Sequence, residues 1–217
     1  MSNSSLHSLG IKYYTDKAYY HKYCDFYDMV LNPIKTVATN VLEIGIDTGS
    51  SLLMWHDYFE SAIVYGIDIT FEHIENPLDR FSRIKCGNAD TSNSQTIIDL
   101  LKCWGNPIFD FIIDDGSHIV SHQKNSIEIL WKSLKPGGIY IIEDLHTNVR
   151  DNFYSHPHLN QYVIEKYLDI PETCHEGIIK TMNNIPFFSF HKEIANIYYF
   201  SNIQTRSLSC VFIKLNV

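Results

Sequence analysis

Short apolar runs rich in β-branched residues alternate with helix-like stretches between residues 40 and 144. The alternation is typical of a parallel sheet covered by helices on both faces, because strands buried on both faces are apolar almost without interruption. The sequence therefore predicts an α/β fold with a doubly wound, mostly parallel sheet. The predicted strands of this sheet cover residues 41–44, 63–67, 83–86, 109–113 and 139–142.

A helix is predicted before the last of these strands. Its apolar positions share one helix face because they follow the spacing i, i+3, i+4, i+7. These positions are Ile127, Leu130, Trp131 and Leu134. The sequence Lys-Pro-Gly-Gly at 135–138 is expected to end the helix and turn the chain into the strand.

The two ends of the chain depart from the central pattern. The N-terminal residues are tyrosine-rich and look helical, whereas the C-terminal residues read as two strands joined by a polar loop, an antiparallel hairpin that closes the sheet. An irregular insert between them is predicted to form a lid or a pocket. We interpret residues 1–217 as one domain. Its predicted parts are the N-terminal segment (1–39), the sheet core (40–146), the insert (147–195) and the hairpin (196–217).

Composition narrows the classes of function. The chain has 217 residues and a formal net charge of -8, with no basic face that would neutralise a nucleic-acid backbone. No apolar run approaches the ~18 residues of a membrane span, and the N-terminus lacks the features of a secretory signal. The 5 cysteines form no CxxC pair, so neither a disulfide framework nor a zinc knuckle is indicated. These features predict a cytoplasmic protein without nucleic-acid partners.

A glycine-containing loop follows the first predicted strand. The sequence at 43–49 is Glu-Ile-Gly-Ile-Asp-Thr-Gly, so Gly45 and Gly49 let the backbone approach a ligand at a helix N-terminus. The spacing differs from the G-x-G-x-x-G of dinucleotide-binding folds, which argues against a pyrophosphate. The alternative is a plain strand-to-helix turn.

Two further strand ends carry side chains that suit a nucleoside. Asp68 closes the second strand, where a carboxylate can accept hydrogen bonds from both ribose hydroxyls. Asn88, Ala89 and Asp90 follow the third strand, in the right place to contact an adenine ring. Taken singly the second signal is weak, because these are common turn residues.

Together these segments resemble the first three motifs of the class I S-adenosylmethionine-dependent methyltransferases, over roughly residues 40 to 145. The resemblance implies a Rossmann-like sheet of seven strands that ends in the antiparallel hairpin, and S-adenosylmethionine as cofactor. The candidate cofactor-binding residues in this region are Glu43, Gly45, Gly49, Ser51, Asp68, Ile69, Asn88, Ala89, Asp90 and Asp114. The assignment of Asp114, either to this cofactor site or to the acidic cluster described below, stays open.

Paired acids end the fourth and fifth strands. In the strand order that the resemblance implies, Asp114 and Asp115 lie beside Glu143 and Asp144, on strands about 4.8 Å apart. Like charges this close raise each other's pKa, and a hard divalent cation with oxygen ligands is the common remedy. The alternative for any one of them is a helix cap or a contact with the cofactor.

A histidine follows the first acidic pair. His118 lies on the loop that leaves the same sheet edge, and imidazole titrates near neutral pH, which suits proton removal from an alcohol. A lone histidine is more often structural. His146, His122 or no base at all therefore remain alternatives to His118.

The segments 113–123, 134–138 and 142–147 resemble a metal-dependent branch of these enzymes, which includes macrolide and rhamnosyl sugar O-methyltransferases and surface-polysaccharide relatives. The resemblance implies that Asp115, Glu143 and Asp144 bind Mg²⁺, with Mn²⁺ as the second choice, and that His118 is the base. The N-terminal segment also resembles the entry segment of the branch, which is usually Gly-Thr-Asp-Lys with a following histidine. The corresponding residues here are Tyr14, Thr15, Asp16 and Lys17, with His21 and Tyr23. This similarity adds cofactor contacts from Thr15 and Lys17, and Tyr14 departs from it by replacing the glycine.

The function predicted from these motifs is metal-assisted methylation of a hydroxyl on a sugar, or on a capsule or natural-product precursor. The acceptor rests on the resemblance rather than on particular residues. A phosphorylated non-sugar acceptor, a metal-using hydroxylase, a non-catalytic cofactor-binding subunit and a dinucleotide oxidoreductase are the alternatives. Related enzymes often form homo-oligomers, and the sequence leaves self-association of this chain open.

Overall fold

Seven strands form one sheet in the computed structural model, which describes residues 5–145, 189–202 and 207–216. The strand order is β3-β2-β1-β4-β5-β7-β6. The strands are β1 (Asn40–Ile44), β2 (Ile63–Asp68), β3 (Ile84–Asn88), β4 (Phe109–Asp114), β5 (Leu134–Ile142), β6 (Ile194–Asn202) and β7 (Ser207–Lys214). The first five pair in parallel, whereas β7 pairs antiparallel with β5 and with β6. The predicted fold class and the C-terminal hairpin are confirmed. The predicted insert lies outside the described residues up to position 188.

Helices precede the sheet and connect its parallel strands, except that β2 and β3 are joined by a loop with a 3-10 turn at Leu78–Arg80. They are α1 (Leu6–Lys12), α2 (Asp16–Tyr19), α3 (Cys24–Leu31), α4 (Ser50–Tyr58), α5 (Ser94–Cys103) and α6 (Val120–Leu130). In α5, the Asn93 side chain accepts a hydrogen bond from the Gln95 N–H and caps the N-terminus, while Ile97 and Leu101 face the core. Among the described residues, no helix is both long enough and apolar enough to cross a bilayer.

The core has two layers, one on each face of the sheet. Val41 belongs to the layer that also holds Trp55, and its neighbour Leu42 belongs to the layer that holds Ile127. Adjacent strand residues point to opposite faces, so both layers draw on every central strand. This double burial explains the continuous apolar runs in the sequence.

The end of α6 differs from the prediction. The helix stops at Leu130, a 3-10 turn follows at Trp131–Ser133, and Leu134 begins β5. The predicted helix through Leu134 and the predicted stop at 135–138 are therefore wrong. Leu134 pairs with Phe109 across the sheet, and the pairing register then shifts, so that residues 135–138 form an irregular stretch of the strand. Leu134 packs in the same core layer as Leu130, which explains why its spacing looked helical.

Backbone hydrogen bonds continue past the carboxyl ends of the parallel strands. The Asp115 N–H donates to the Ile44 carbonyl over 2.9 Å, and the Glu143 N–H donates to the Asp114 carbonyl over 2.9 Å. The loops that leave β1, β4 and β5 are thereby held side by side at one edge. Ligands of open α/β sheets bind at this carboxyl edge.

Candidate active site

A cavity of about 660 Å³ opens at the carboxyl edge of the sheet. Its volume falls within the ~300–1,000 Å³ usual for ligand sites. Its walls come from the N-terminal segment and from the loops after β1, β2, β3, β4 and β5. The predicted site residues that line it are Thr15, Lys17, Gly45, Ser51, Asp68, Ile69, Ala89, Asp90, Asp115, His118 and Asp144. The predicted residues that do not line it are Glu43, Gly49, Asn88, Asp114 and Glu143.

The loop after β1 depends on its first glycine. Gly45 has a φ of +81°, and a Cβ at this position would overlap the carbonyl oxygen of Asp115. The loops after β1 and β4 thus pack backbone to backbone, an approach that only glycine permits. Gly49, at φ +82°, is the residue that precedes α4 rather than part of the cavity wall.

Asp68 shapes the same loop from the neighbouring strand. Its Oδ2 accepts hydrogen bonds from the Ile46 N–H at 2.8 Å and the Asp47 N–H at 3.2 Å, and the residue also lines the cavity. Asn88 lies behind it, where its Nδ2 donates to the Asp68 carbonyl over 3.4 Å. Oδ1 of Asp68 accepts a hydrogen bond from the Thr70 N–H over 3.3 Å, so Asp68 orders the loops after β1 and β2 and places its carboxylate in the cavity wall.

Glu43 is buried beneath the cavity rather than in its wall. The Ser51 hydroxyl donates to its Oε2 over 2.6 Å, and Lys17 Nζ lies 3.4 Å from its Oε1. Burial raises the pKa of Glu43 to about 7, although the charge of Lys17 and the hydrogen bond from Ser51 act in the opposite direction. Glu43 holds two residues that do line the cavity.

Lys17 is the central cation of the site. Its side chain is 2% exposed, and its ammonium is ion-paired with Asp115, with Glu143 at 3.2 Å and with Glu43 at 3.4 Å. Burial alone lowers the pKa of Lys17, but the three carboxylates outweigh it and hold the pKa well above its usual value. A buried ammonium needs such partners. The sequence indicated a cofactor contact for Lys17 and missed these ion pairs.

Asp115, His118 and Asp144 converge on one point. One ligand atom from each lies within 4.8 Å of the others, and His118 Nε2 lies 3.9 Å from Asp115 Oδ1 and 3.7 Å from Asp144 Oδ2. The carboxylate oxygens of Asp115 and Asp144 suit a hard divalent cation such as Mg²⁺ or Mn²⁺, so these two residues fit the predicted metal. Glu143, the remaining predicted ligand, is buried and directed at Lys17.

Asp114 lies beneath this cluster. It is buried, and its Oδ1 accepts a hydrogen bond from the Gly116 N–H over 3.3 Å. Burial raises the pKa of Asp114 to about 6. Its position is that of a support for the loop after β4. The alternative base His122 lines the cavity with its Nδ1 2.9 Å from the Ser117 hydroxyl, and His146 lies outside the described residues.

Two aromatic residues of the N-terminal segment support Asp144. The buried Tyr23 donates its hydroxyl to Asp144 Oδ1 over 2.9 Å, and the His21 ring stacks on Tyr23 at a centroid distance of 5.1 Å. His21 Nδ1 lies 2.7 Å from the hydroxyl of Ser207 in β7. The sequence placed His21 and Tyr23 only in a segment of general resemblance. Their role as supports of Asp144 depends on the tertiary fold.

Left-handed backbone conformations concentrate around the cavity. Tyr14, Asp47, His118 and Asp144 all line it, and their φ angles lie between +40° and +57°. Each such conformation costs a non-glycine residue about 1 kcal/mol or more. Strain of this kind collects at binding and catalytic sites, which supports the assignment of the cavity as the functional site.

Comparison with solved structures agrees with the observed fold. The methyltransferase MycE of the mycinamycin biosynthetic pathway, solved in complex with Mg, SAH and mycinamycin VI, matches 98% of this chain and 55% of its own with a TM-score of 0.73 at 24% identity. A caffeoyl-CoA O-methyltransferase-like protein from Staphylococcus aureus matches with a TM-score of 0.59 at 13% identity, over 97% of this chain and 92% of its own. The chain has the class I methyltransferase fold.

Several curated enzymes are similar to this chain in sequence. No protein-family model matches it. The 8-demethyl-8-alpha-L-rhamnosyl tetracenomycin-C 2'-O-methyltransferase of Streptomyces olivaceus is 36% identical over 150 residues, which are 66% of this chain and 38% of that enzyme. The L-olivosyl-oleandolide 3-O-methyltransferase of Streptomyces antibioticus is 34% identical, over 66% of this chain and 38% of its own. The chain is thus similar in sequence to part of these two sugar O-methyltransferases. It spans less than two fifths of the length of these curated relatives.

Proposed function

We propose that the protein is an S-adenosylmethionine-dependent O-methyltransferase that acts, with a divalent metal, on a hydroxyl of a sugar. One observation carries the proposal. The same cavity contains the glycine loop and the Asp68 carboxylate, which suit a nucleoside, and the cluster of two carboxylates and a histidine, which suits a metal and a base. The relatives at 36% and 34% identity are named as O-methyltransferases of rhamnosyl and olivosyl sugars, which supports the same reaction class.

The cofactor would occupy the part of the cavity formed by the loops after β1, β2 and β3. Gly45 lets the backbone approach it, Asp68 would accept hydrogen bonds from the ribose, and Asp90 would face the adenine. S-adenosylmethionine supplies an electrophilic methyl group on its sulfonium. The work left to the chain is therefore to orient the donor and the acceptor.

Asp115 and Asp144 are the residues that would hold the metal, since both line the cavity with oxygens near one point. Glu143 is the third predicted ligand, and here it neutralises Lys17. A bound divalent cation would supply Lewis-acid activation of a hydroxyl. Lys17 balances part of the negative charge that Asp115, Glu143 and Glu43 bring into a buried place.

His118 is proposed as the general base. His118 would accept the proton that the acceptor hydroxyl loses as its oxygen bonds to the methyl carbon and the bond from that carbon to sulfur breaks. His118 Nε2 lies within 4 Å of carboxylate oxygens of Asp115 and Asp144, which would stabilise the imidazolium that forms. A positioned base contributes about 10²–10⁴-fold to such a reaction.

The test is transfer of a labelled methyl group from S-adenosylmethionine to a panel of acceptors, with Mg²⁺, with Mn²⁺ and with chelator. The panel holds rhamnosides, nucleotide sugars, surface-polysaccharide precursors and a phosphorylated non-sugar compound. We expect label on a sugar hydroxyl, lost with chelator and with Asp115→Ala. Binding of S-adenosylmethionine without transfer to any acceptor contradicts the proposal and favours a binding subunit. A preference for NADH favours an oxidoreductase.

A further inference from the structure

Tyr14 combines a strained backbone with an exposed aromatic ring at the cavity. Its φ is +57°, its side chain is 81% exposed, and it lines the cavity wall. A bulky residue in the left-handed region is a genuine outlier. Glycine adopts the region without this cost.

The surrounding chain holds Tyr14 in this conformation from both sides. The Tyr14 N–H donates to the Ile11 carbonyl over 3.3 Å, and the N–H of the buried Thr15 donates to the Gly10 carbonyl over 3.1 Å. Three residues further on, Lys17 is fixed by its carboxylates. The strain at Tyr14 therefore belongs to a well-anchored segment rather than to a frayed end.

Packing within the described chain does not offset this strain. An 81% exposed ring removes little apolar surface from water, so its contribution to folding is small. Folding stability therefore does not explain why a tyrosine lies at this position. Contact of the ring with a ligand would explain it.

The N-terminal segment contributes a further exposed aromatic residue to the cavity wall. Tyr19 is 53% exposed and lines the cavity, whose wall also carries Asp115 and Asp144. A wall that combines exposed aromatic rings with carboxylates suits a ligand with an apolar face and polar edges. A sugar ring is such a ligand, because its C–H groups form one face and its hydroxyls lie around the edge.

We propose that Tyr14 is a specificity-determining residue whose ring packs against the face of the acceptor sugar. The inference rests on the proposed function. Tyr14 lies three residues before Lys17, whose ammonium is ion-paired with the proposed metal residue Asp115, and this connection favours the acceptor over the cofactor as the ligand of the ring. The ring would bury its face on the sugar while Asp115 and His118 meet the hydroxyl.

The test compares Tyr14→Gly and Tyr14→Phe with the wild-type protein, using the sugar that the wild type methylates. For Tyr14→Gly we expect KM for the sugar to rise about three- to tenfold, as loss of one aromatic contact implies. The same variant should melt a few degrees higher, because the strain is relieved. Tyr14→Phe should keep KM within about twofold, since it retains the ring.

Tyr198→Ala is the matched control, because Tyr198 is 45% exposed on β6 and does not line the cavity. It should leave KM unchanged. An unchanged KM in Tyr14→Gly would overturn the inference while leaving the proposed function intact. Weaker binding of S-adenosylhomocysteine, measured by calorimetry, with an unchanged sugar KM would overturn it in favour of a cofactor contact. If the wild type methylates no sugar, the proposed function fails and the inference fails with it.

Discussion

The hydroxyl of Tyr23 donates a 2.9 Å hydrogen bond to Oδ1 of Asp144, whose other oxygen lies 3.7 Å from Nε2 of His118. One carboxylate thus connects the N-terminal segment to the candidate base. Asp144 has a φ of +55°, so Tyr23 supports a residue whose backbone is itself strained.

Replacing Tyr23 with phenylalanine should weaken metal binding. The variant keeps the ring that packs in the core but removes the donor that orients Asp144, and loss of an outer partner of a metal ligand typically costs about 10–100-fold in affinity. Titration with Mn²⁺, followed by electron paramagnetic resonance without cofactor, measures this. Tyr58→Phe is the control, since the Tyr58 hydroxyl donates to Asp28 Oδ1 over 2.7 Å and Tyr58 does not line the cavity. Equal Mn²⁺ affinity in both variants would contradict the prediction.

Lys17→Met should destabilise the protein by about 3–5 kcal/mol, because it leaves buried carboxylates without their cation. Added Mg²⁺ should raise the melting temperature of this variant more than that of the wild type, since a cation can replace part of the missing charge. Thermal unfolding with and without Mg²⁺ checks both statements. The prediction fails if Mg²⁺ stabilises the two proteins equally. Lys12→Met, on the surface at Asp57, is the comparison for loss of a lysine ion pair.

Gly45→Ala should impair binding of both S-adenosylhomocysteine and Mn²⁺. Its Cβ would displace the Asp115 backbone, so one substitution in the loop after β1 disturbs the loop after β4 as well. Gly105→Ala is a matched control, because Gly105 has a φ of +80° with no atom within 4 Å of an added Cβ. It should lose only the ~1 kcal/mol of backbone strain. Similar ligand affinities in the two variants would refute the close packing as the cause.

His118→Asn should lower kcat by about 10²–10⁴-fold and leave binding of S-adenosylhomocysteine intact. Asparagine tolerates the left-handed region better than most residues, so it suits the φ of +54° at this position. His122→Asn is the companion variant and should change kcat by less than about threefold if His118 is the base. A larger loss in His122→Asn than in His118→Asn would reverse the assignment.

Asp57→Asn should reduce stability at neutral pH but not near pH 2. Burial alone raises the pKa of Asp57, but hydrogen bonds from Lys12, Tyr13 and His56 outweigh it and lower the pKa to about 2. The folded-state pKa lies below the unfolded value, so the stabilisation is present above about pH 4 and disappears as the pH falls through 2. Urea unfolding of both proteins at several pH values measures it, with a difference of at most ~2 kcal/mol. A difference that persists at pH 2 would contradict this.

The sheet could be predicted because its strands are buried on both faces and therefore appear in the sequence as continuous apolar runs. The end of α6 was not. Leu134 fits a helical spacing and also fills the same core layer as a strand residue, so only the pairing with Phe109 distinguishes the two. A 3-10 turn between a helix and a strand leaves no separate pattern in the apolar positions.

The same division holds for the site. The proximity of Asp115 and Asp144 could be predicted, because the carboxyl ends of adjacent parallel strands share one edge of the sheet. The contact of Lys17 with Asp115 spans 98 residues, and that of Tyr23 with Asp144 spans 121. No local spacing encodes such pairs.

The backbone hydrogen bonds beyond the strand ends distinguish two groups of residues at the cavity. Asp115 and Glu143 are fixed by the sheet backbone, whereas Tyr14 belongs to a segment outside the sheet. The predicted metal residues are therefore held by the scaffold, whereas the proposed acceptor contact is a side chain that can be replaced without disturbing the sheet. Directed evolution toward new acceptors would therefore vary Tyr14 and Tyr19 and leave the strand-end residues that align donor and acceptor unchanged.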